Sequence, residues 1–250
     1  MFTLIRYIIV CLVLTIPFGY AQTIKVAAID WCPQICVNES YEGYTVDLIK
    51  KVYEKGAHKL EIDVFPWSRA IKYVSDGKYD ALLAPAKKEA PHLIFPSYGV
   101  GIQRMCFFTS AKNTWMYTGE DSLTAMQVGI AFDTSIEELN QYIKEHPQQF
   151  QFQPYHERYV AQNAGKVLKG RIDAFLFTKN TTLFELKKAG LEGAIKNAGC
   201  VSQADIYLAF TADKRKTANV VKASSFFESR MKYLIQSGYV DKLHQKYGIK

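Results

Sequence analysis

Residues 44–81 read Y-T-V-D-L-I-K-K-V-Y-E-K-G-A-H-K-L-E-I-D-V-F-P-W-S-R-A-I-K-Y-V-S-D-G-K-Y-D-A. Val46, Leu48, Ile49, Val52 and Tyr53 recur at helical spacing, and Gly56 closes the segment as a C-terminal glycine would. Leu60, Ile62 and Val64 alternate, which is the period of a strand. A second helical run, Trp67, Ala70, Ile71 and Val74, stops at Asp76-Gly77, and a buried run Ala81-Leu82-Leu83-Ala84 follows. Helix, strand, helix and strand in so short a span predict parallel strands joined by crossover helices.

Outward from this stretch the alternation continues. Before it, Ile24 to Ile29 is a short apolar strand ending at Asp30-Trp31-Cys32-Pro33. After it, M-C-F-F-T at residues 105–109 reads as a buried strand. Ala125 to Ile130 reads as a strand feeding the turn Ala131-Phe132-Asp133-Thr134-Ser135. Asp, Thr and Ser before Ile136-Glu137-Glu138-Leu139 are helix N-cap residues with acidic residues in the first turn. A helix over Ala161 to Leu168 then leads through Gly170-Arg171-Ile172-Asp173-Ala174 into a buried strand, Phe175-Leu176-Phe177. G-R-I-D-A echoes G-K-Y-D-A at residues 77–81, as two lobes built on similar α/β logic would. Ile206 to Phe210 is a further strand, and Ser224 to Tyr247 an amphipathic helical tail.

Residues 1–21 read as a secretory signal peptide: Arg6 supplies the positive region, Ile8 to Ile16 the apolar one, and Gly19-Tyr20-Ala21 the cleavage site. The apolar core falls short of the roughly 20 residues of a membrane span. The chain carries a formal charge of +7, with its lysines scattered rather than gathered on one aromatic-interleaved face, which argues for no nucleic acid partner. Four cysteines follow the signal peptide, and four permit three pairings. The short C-P-Q-I-C loop favours Cys32–Cys36, leaving Cys106 and Cys200. The histidines cluster with none of these cysteines, so no metal and no cofactor are expected.

The order of motifs in residues 44–81 resembles the solute-binding protein family that serves polar amino-acid uptake, often called family 3. Its first half carries a G-x-x-x-D-L helix, a strand, a P-W-x-x-A-(I/L) helix and G-x-(Y/F)-D-A. The closing S-G-Y-V-D-K-L-H-Q-K-Y-G, from Ser237, resembles that family's ending, which packs back on its first lobe. The resemblance implies an α/β fold of two lobes, periplasmic-binding-protein-like and type II, rather than one continuous sheet, with a ligand cleft between the lobes. The expected division is 1–21 signal peptide, 22–106 plus 208–250 lobe one, and 107–207 lobe two, with crossings near Cys106 and Tyr207.

Open α/β sheets bind ligands beyond the carboxyl ends of their strands. That rule selects Asp30 and Trp31 after the first strand, Trp67 and Arg69 after the next, and Ala84 to Lys88 after the third of that half. Tyr98 and Arg104 precede the crossing, and Thr178 follows the F-L-F strand. Asp133, Thr134 and Ser135 stand at a helix N-terminus, whose N–H groups suit an anionic group; the resemblance assigns this turn to a ligand carboxylate. Asp47 is expected to be structural. Members of the family that take α-amino acids carry an arginine after the strand preceding Ala86-Lys87-Lys88-Glu89, and an acidic residue past G-x-x-D-A. This chain has neither, and has Thr178 and Lys179 at the second place. Lys87, Lys88 and Arg104 are the alternative cations, though a lysine does not reproduce an arginine's bidentate fit. Losing two charge-assisted bonds of about 1.5–3 kcal/mol each predicts weak binding of ordinary amino acids.

The implied function is a periplasmic, monomeric protein that closes on a small-molecule ligand and presents it to the membrane permease of an ABC transporter. Two rivals share the fold, a sensory input domain and a dehydratase-like enzyme. For the latter, Asp30, Glu42, Asp133 and Glu157 are the available carboxylates, and no spacing pairs any two of them.

Overall fold

The computed structural model describes residues 22–37, 39–56, 58–132 and 136–249. The expected signal peptide and the turn residues Asp133, Thr134 and Ser135 lie outside the described residues.

The first half is built from β1 (Gln22–Ala28), α1 (Tyr44–Tyr53), β2 (His58–Val64), α2 (Trp67–Ser75) and β3 (Ala81–Ala86). β1 lies between β2 and β3 and is parallel to both, as the crossover pattern predicts. Two long strands form the centre of the sheet: β4 (Gly101–Ser110) and β8 (Ile195–Phe210) pair antiparallel from Gly101 opposite Ile206 to Ser110 opposite Ile195. Between them in the chain come β5 (Val128–Ala131), α3 (Asn140–Glu145), β6 (Phe150–Gln153), α4 (Tyr159–Leu168), β7 (Ala174–Thr178) and α5 (Lys179–Lys188). Here β5 lies between β6 and β7 and is parallel to both. The chain ends in α6 (Thr217–Gln236) and α7 (Tyr239–Lys246), separated by Gly238 in the left-handed region.

Among the described residues the strand order is β2-β1-β3-β8-β4-β7-β5-β6, one eight-stranded sheet. This corrects the expectation of two lobes without a continuous sheet. The reason lies in the crossing strands, which are long enough to pair with each other while β8 also pairs with β3 and β4 with β7. The two sides of this central pair nevertheless mirror each other, strand for strand. The core divides in the same way. One pair of apolar clusters draws on Ile24 to Val100 and Ile206 to Leu243, the other on Met105 to Ala198. Within each half, alternate strand residues feed opposite faces: Ala174 and Leu176 one cluster, Phe175 and Phe177 the other. Burying each such aromatic or leucine side chain stabilises the fold by about 1.5–3 kcal/mol.

The G-K-Y-D-A and G-R-I-D-A echo is structural. Gly77 (φ 69°) and Gly170 (φ 63°) each end a helix in the left-handed conformation that favours glycine. Asp80 then accepts the Lys25 N–H at 2.8 Å, and Asp173 accepts the Gln127 N–H at 2.8 Å. Each aspartate, just before its own strand, so ties that strand to its parallel neighbour, Asp80 at the middle of β1 and Asp173 just before β5. Asp80 also receives the Lys216 ammonium at 2.9 Å.

Gly56 plays a different part from the one expected. Helix α1 ends at Tyr53 with Glu54 still right-handed, and a Cβ on Gly56 would stand 2.7 Å from the Phe226 ring. The glycine N–H closes a turn on the Tyr53 carbonyl at 3.0 Å, but the residue makes room for a neighbour rather than capping the helix in the left-handed conformation. Helix α1 also anchors the tail. Asp47 accepts the Tyr247 hydroxyl at 2.8 Å and the Lys246 ammonium at 3.0 Å, which gives that carboxylate a structural role. Both cysteine pairs are bonded, Cys32–Cys36 and Cys106–Cys200, the second across the β4–β8 ladder where its register shifts.

Candidate functional site

A cleft of about 770 Å³ opens where the carboxyl ends of the parallel strands of both halves meet. Its walls are the segments that follow β1 (Ile29, Asp30, Trp31), β2 (Phe65, Pro66, Trp67) and β3 (Glu89). From the other half come Phe132 after β5, the Pro154 to Glu157 loop after β6, and Phe177 and Thr178 at the end of β7. Gln103 of β4 forms part of the floor. The strand-end rule therefore holds for every parallel strand of the sheet.

Asp30, Trp31, Trp67 and Thr178 line this cleft as predicted, and so does Ala84 of the selected Ala84 to Lys88 segment. The structure places three others elsewhere. Arg69 is exposed on α2, Tyr98 packs beside the core of the first half, and Arg104 donates to Gln203 Oε1 at 2.8 Å along the β4–β8 pair. None of the three is among the residues lining the cleft. Lys87 is also turned away from it, its ammonium lying 5.0 Å from the centre of the Tyr207 ring.

Trp31 joins the two halves. Its indole N–H donates to Thr178 Oγ1 at 3.1 Å in a buried bond, and the neighbouring Gln34 amide donates to Thr181 Oγ1 at 3.3 Å. The Trp31 to Cys36 turn that presents both side chains is closed by the Trp31–Ile35 backbone pair and the Cys32–Cys36 bridge. Beyond it, Lys188 of α5 pairs with Glu39, and the Tyr41 and Phe184 rings meet edge to face. Thr178 thus uses its hydroxyl to hold the halves together.

The site's electrostatics are negative. Burial pushes the Asp30 carboxyl above the usual range against a bond from the Val37 N–H, and the nearby Glu157 and Glu39 add to the rise. Burial likewise raises Glu89, opposed by the Ala86 N–H at 2.7 Å and by the Trp67 indole. Glu185, on α5, is raised by burial too, and Glu39, Asp30 and Glu157 push it further up while Lys188 opposes them. The Tyr155 phenol is raised by burial and then by Asp30 and Glu185. Carboxylates that disfavour one another's charge are a common mark of a functional cleft.

The sequence reading passed over Glu89, Gln103, Phe132, Tyr155, His156 and Phe177, and weighed Glu157 only as a possible acid. A strand signal for β6 was present, since Phe150 and Phe152 alternate with glutamines before Pro154. Ala84 opens the Ala84 to Lys88 segment that the strand-end rule selects. It lines the cleft with φ 69°, within the register shift between Leu83 and Ala86. A non-glycine residue held there stores of order 1–3 kcal/mol of strain.

Mirror-related parallel strands, two crossing strands and a cleft between the halves define the fold of the periplasmic binding proteins. Solved structures of that fold match the chain along nearly its whole length. A histidine kinase sensor domain with similarity to periplasmic binding proteins superposes with a TM-score of 0.73 and 15% identity, covering 92% of this chain and 97% of its own. A structure from work on glutathione import via GshT and the cystine ABC importer TcyBC of Streptococcus mutans gives 0.73 and 15%, covering 90% and 94%. The ancestral amino acid-binding protein AncCDT-1, a precursor of cyclohexadienyl dehydratase, gives 0.66 and 18%, covering 90% and 94%. No protein-family model and no curated protein sequence matches the chain.

Proposed function

We propose that this chain is an exported solute-binding protein that captures a small polar molecule between two lobes and delivers it to the permease of an ABC transporter. The observation that carries the proposal is the cleft itself, walled by strand ends of both halves and bridged by the Trp31–Thr178 bond. Lobe one comprises residues 22–106 and 208–250, and lobe two 107–207, with residues 1–21 removed on export to the periplasm. Among the described residues no helix is long and apolar enough to cross a membrane. The working form is a monomer. Ligand binds because it stabilises the closed arrangement more than the open one, and the crossings near Cys106 and Tyr207 absorb the motion.

Similar chains act as importer components, and one is the sensor domain of a histidine kinase, which gives the sensory reading a specific support. A dehydratase-like enzyme has weaker support, the likeness to a binding-protein precursor of one. A thermal-shift screen of polar metabolites on ligand-stripped protein tests the binding function common to the first two readings. A true ligand at a hundredfold excess over its dissociation constant stabilises by about 2.7 kcal/mol. Conversion of any metabolite during the screen would favour the enzyme instead, and no stabilisation by any of them would overturn the proposal.

A further inference from the structure

We infer that the cleft takes a small organic cation without a carboxylate, an amine, guanidinium or quaternary ammonium, held by Trp31, Trp67 and Tyr155 and by Asp30, Glu89 and Glu157. The inference rests on the solute-binding reading and concerns the charge of the solute. The chain as a whole is basic, with 31 lysines and arginines against 24 acidic residues. Yet among the described residues no lysine or arginine lines the cleft, while three carboxylates do. An anionic group entering here would meet like charge at reduced dielectric, a costly juxtaposition.

The aromatic lining supplies the complementary half of the argument. Ring faces attract cations electrostatically, tryptophan best of all. Trp31 and Trp67 approach from lobe one and Tyr155 from lobe two, so a cation between them touches both lobes. Such a ligand favours the closed form through rings and carboxylates at once.

The titration of the site gives the inference a signature. Asp30 is faced by Glu157, Glu39, Glu185 and Lys188, by the Val37 N–H and by the Tyr155 phenol, and His156 lines the same cleft. Glu89 is faced by the Ala86 N–H and the Trp67 indole. Both carboxyls hold their protons to higher pH than ordinary ones. A cation prefers the ionised forms, so its affinity is full above these raised pKa values and is lost as pH falls through them. An anion would bind better as pH falls.

The test is calorimetry, with tryptophan fluorescence, on purified protein stripped of small molecules by unfolding and refolding. The probes are choline, putrescine and agmatine as cations, arginine as the carboxylate-bearing counterpart of agmatine, and glutamate as an anion. A cation should bind at micromolar concentration, agmatine at least ten times tighter than arginine, and affinity should fall at acid pH. Asp30→Asn and Glu89→Gln should each weaken it ten- to a hundredfold, with circular dichroism unchanged. If no probe binds, the molecule captured from a metabolite extract is identified by mass spectrometry, and a cation supports the inference. Tight binding of glutamate, arginine or a captured anion overturns the inference and leaves the solute-binding function standing. Failure to capture anything overturns that function, and the inference with it.

Discussion

The Cys106–Cys200 bridge ties β4 to β8 at their register shift, and its cysteines stand 94 residues apart in sequence. A cross-link of that span restricts the unfolded chain by about 4.7 kcal/mol at 25 °C on the loop-closure relation, against about 2 kcal/mol for a loop of four. The paired change Cys106→Ala and Cys200→Ala removes the link while leaving only a small void at the fully buried Cys106. The expected loss is about 3–5 kcal/mol, which lowers the melting temperature by roughly 6–20 °C for a domain of this size. Guanidinium unfolding without reductant, compared with wild type, measures it. Adding reductant should cost the wild type both bridges, and the variant only the smaller Cys32–Cys36 contribution. A variant within 1 kcal/mol of wild type, or four free thiols in the native protein, would refute the reasoning.

Other perturbations address the lobes separately. Thr178→Val keeps the shape of the side chain but leaves the buried Trp31 N–H without its acceptor, so it should cost about 1–3 kcal/mol by denaturant unfolding. An unchanged midpoint would mean the bond does not hold the halves together. In Asp47→Ala the Tyr247 phenol, held above its usual range by burial and by Asp47, should ionise at lower pH, read by ultraviolet titration. A titration identical to wild type would deny the tail its anchor on α1. Gly77→Ala and Gly170→Ala both force alanine to positive φ at about 1–2 kcal/mol. Only at Gly77 would the new Cβ meet another group, Asp213 Oδ2 at 2.6 Å, so that variant should be the less stable of the pair by thermal melting.

Much of the fold was legible because the periodicities were unobstructed. Residues 44–81 announced their helix–strand alternation, and the G-x-x-D-A echo marked two equivalent places in the halves. The continuous ladder was not legible, since strand pairing between β4 and β8 depends on how far two distant segments extend together. Gly56 misled because a glycine beside a helix end reads the same whether it turns the chain or yields to a ring such as Phe226. In the site, Asp30, Trp31, Trp67 and Thr178 followed from strand ends alone. Arg69 follows from the same rule, but position near a helix start does not say which way a side chain points, and the same holds for Tyr98 and Arg104 before the crossing. Glu89 was not legible because it stands beside two lysines with no periodicity to show which way it faces. Tyr155 follows β6, whose alternating phenylalanines are the one signal in the sequence that would have pointed to it.

Closure of the cleft on a small molecule is the central claim, and small-angle scattering tests it most directly. Ligand-stripped protein would be measured before and after adding a ligand whose binding calorimetry has confirmed. The radius of gyration should fall on addition to about 17 Å, the value for one compact body of this length. A radius unchanged by saturating ligand would contradict the two-lobed closing mechanism.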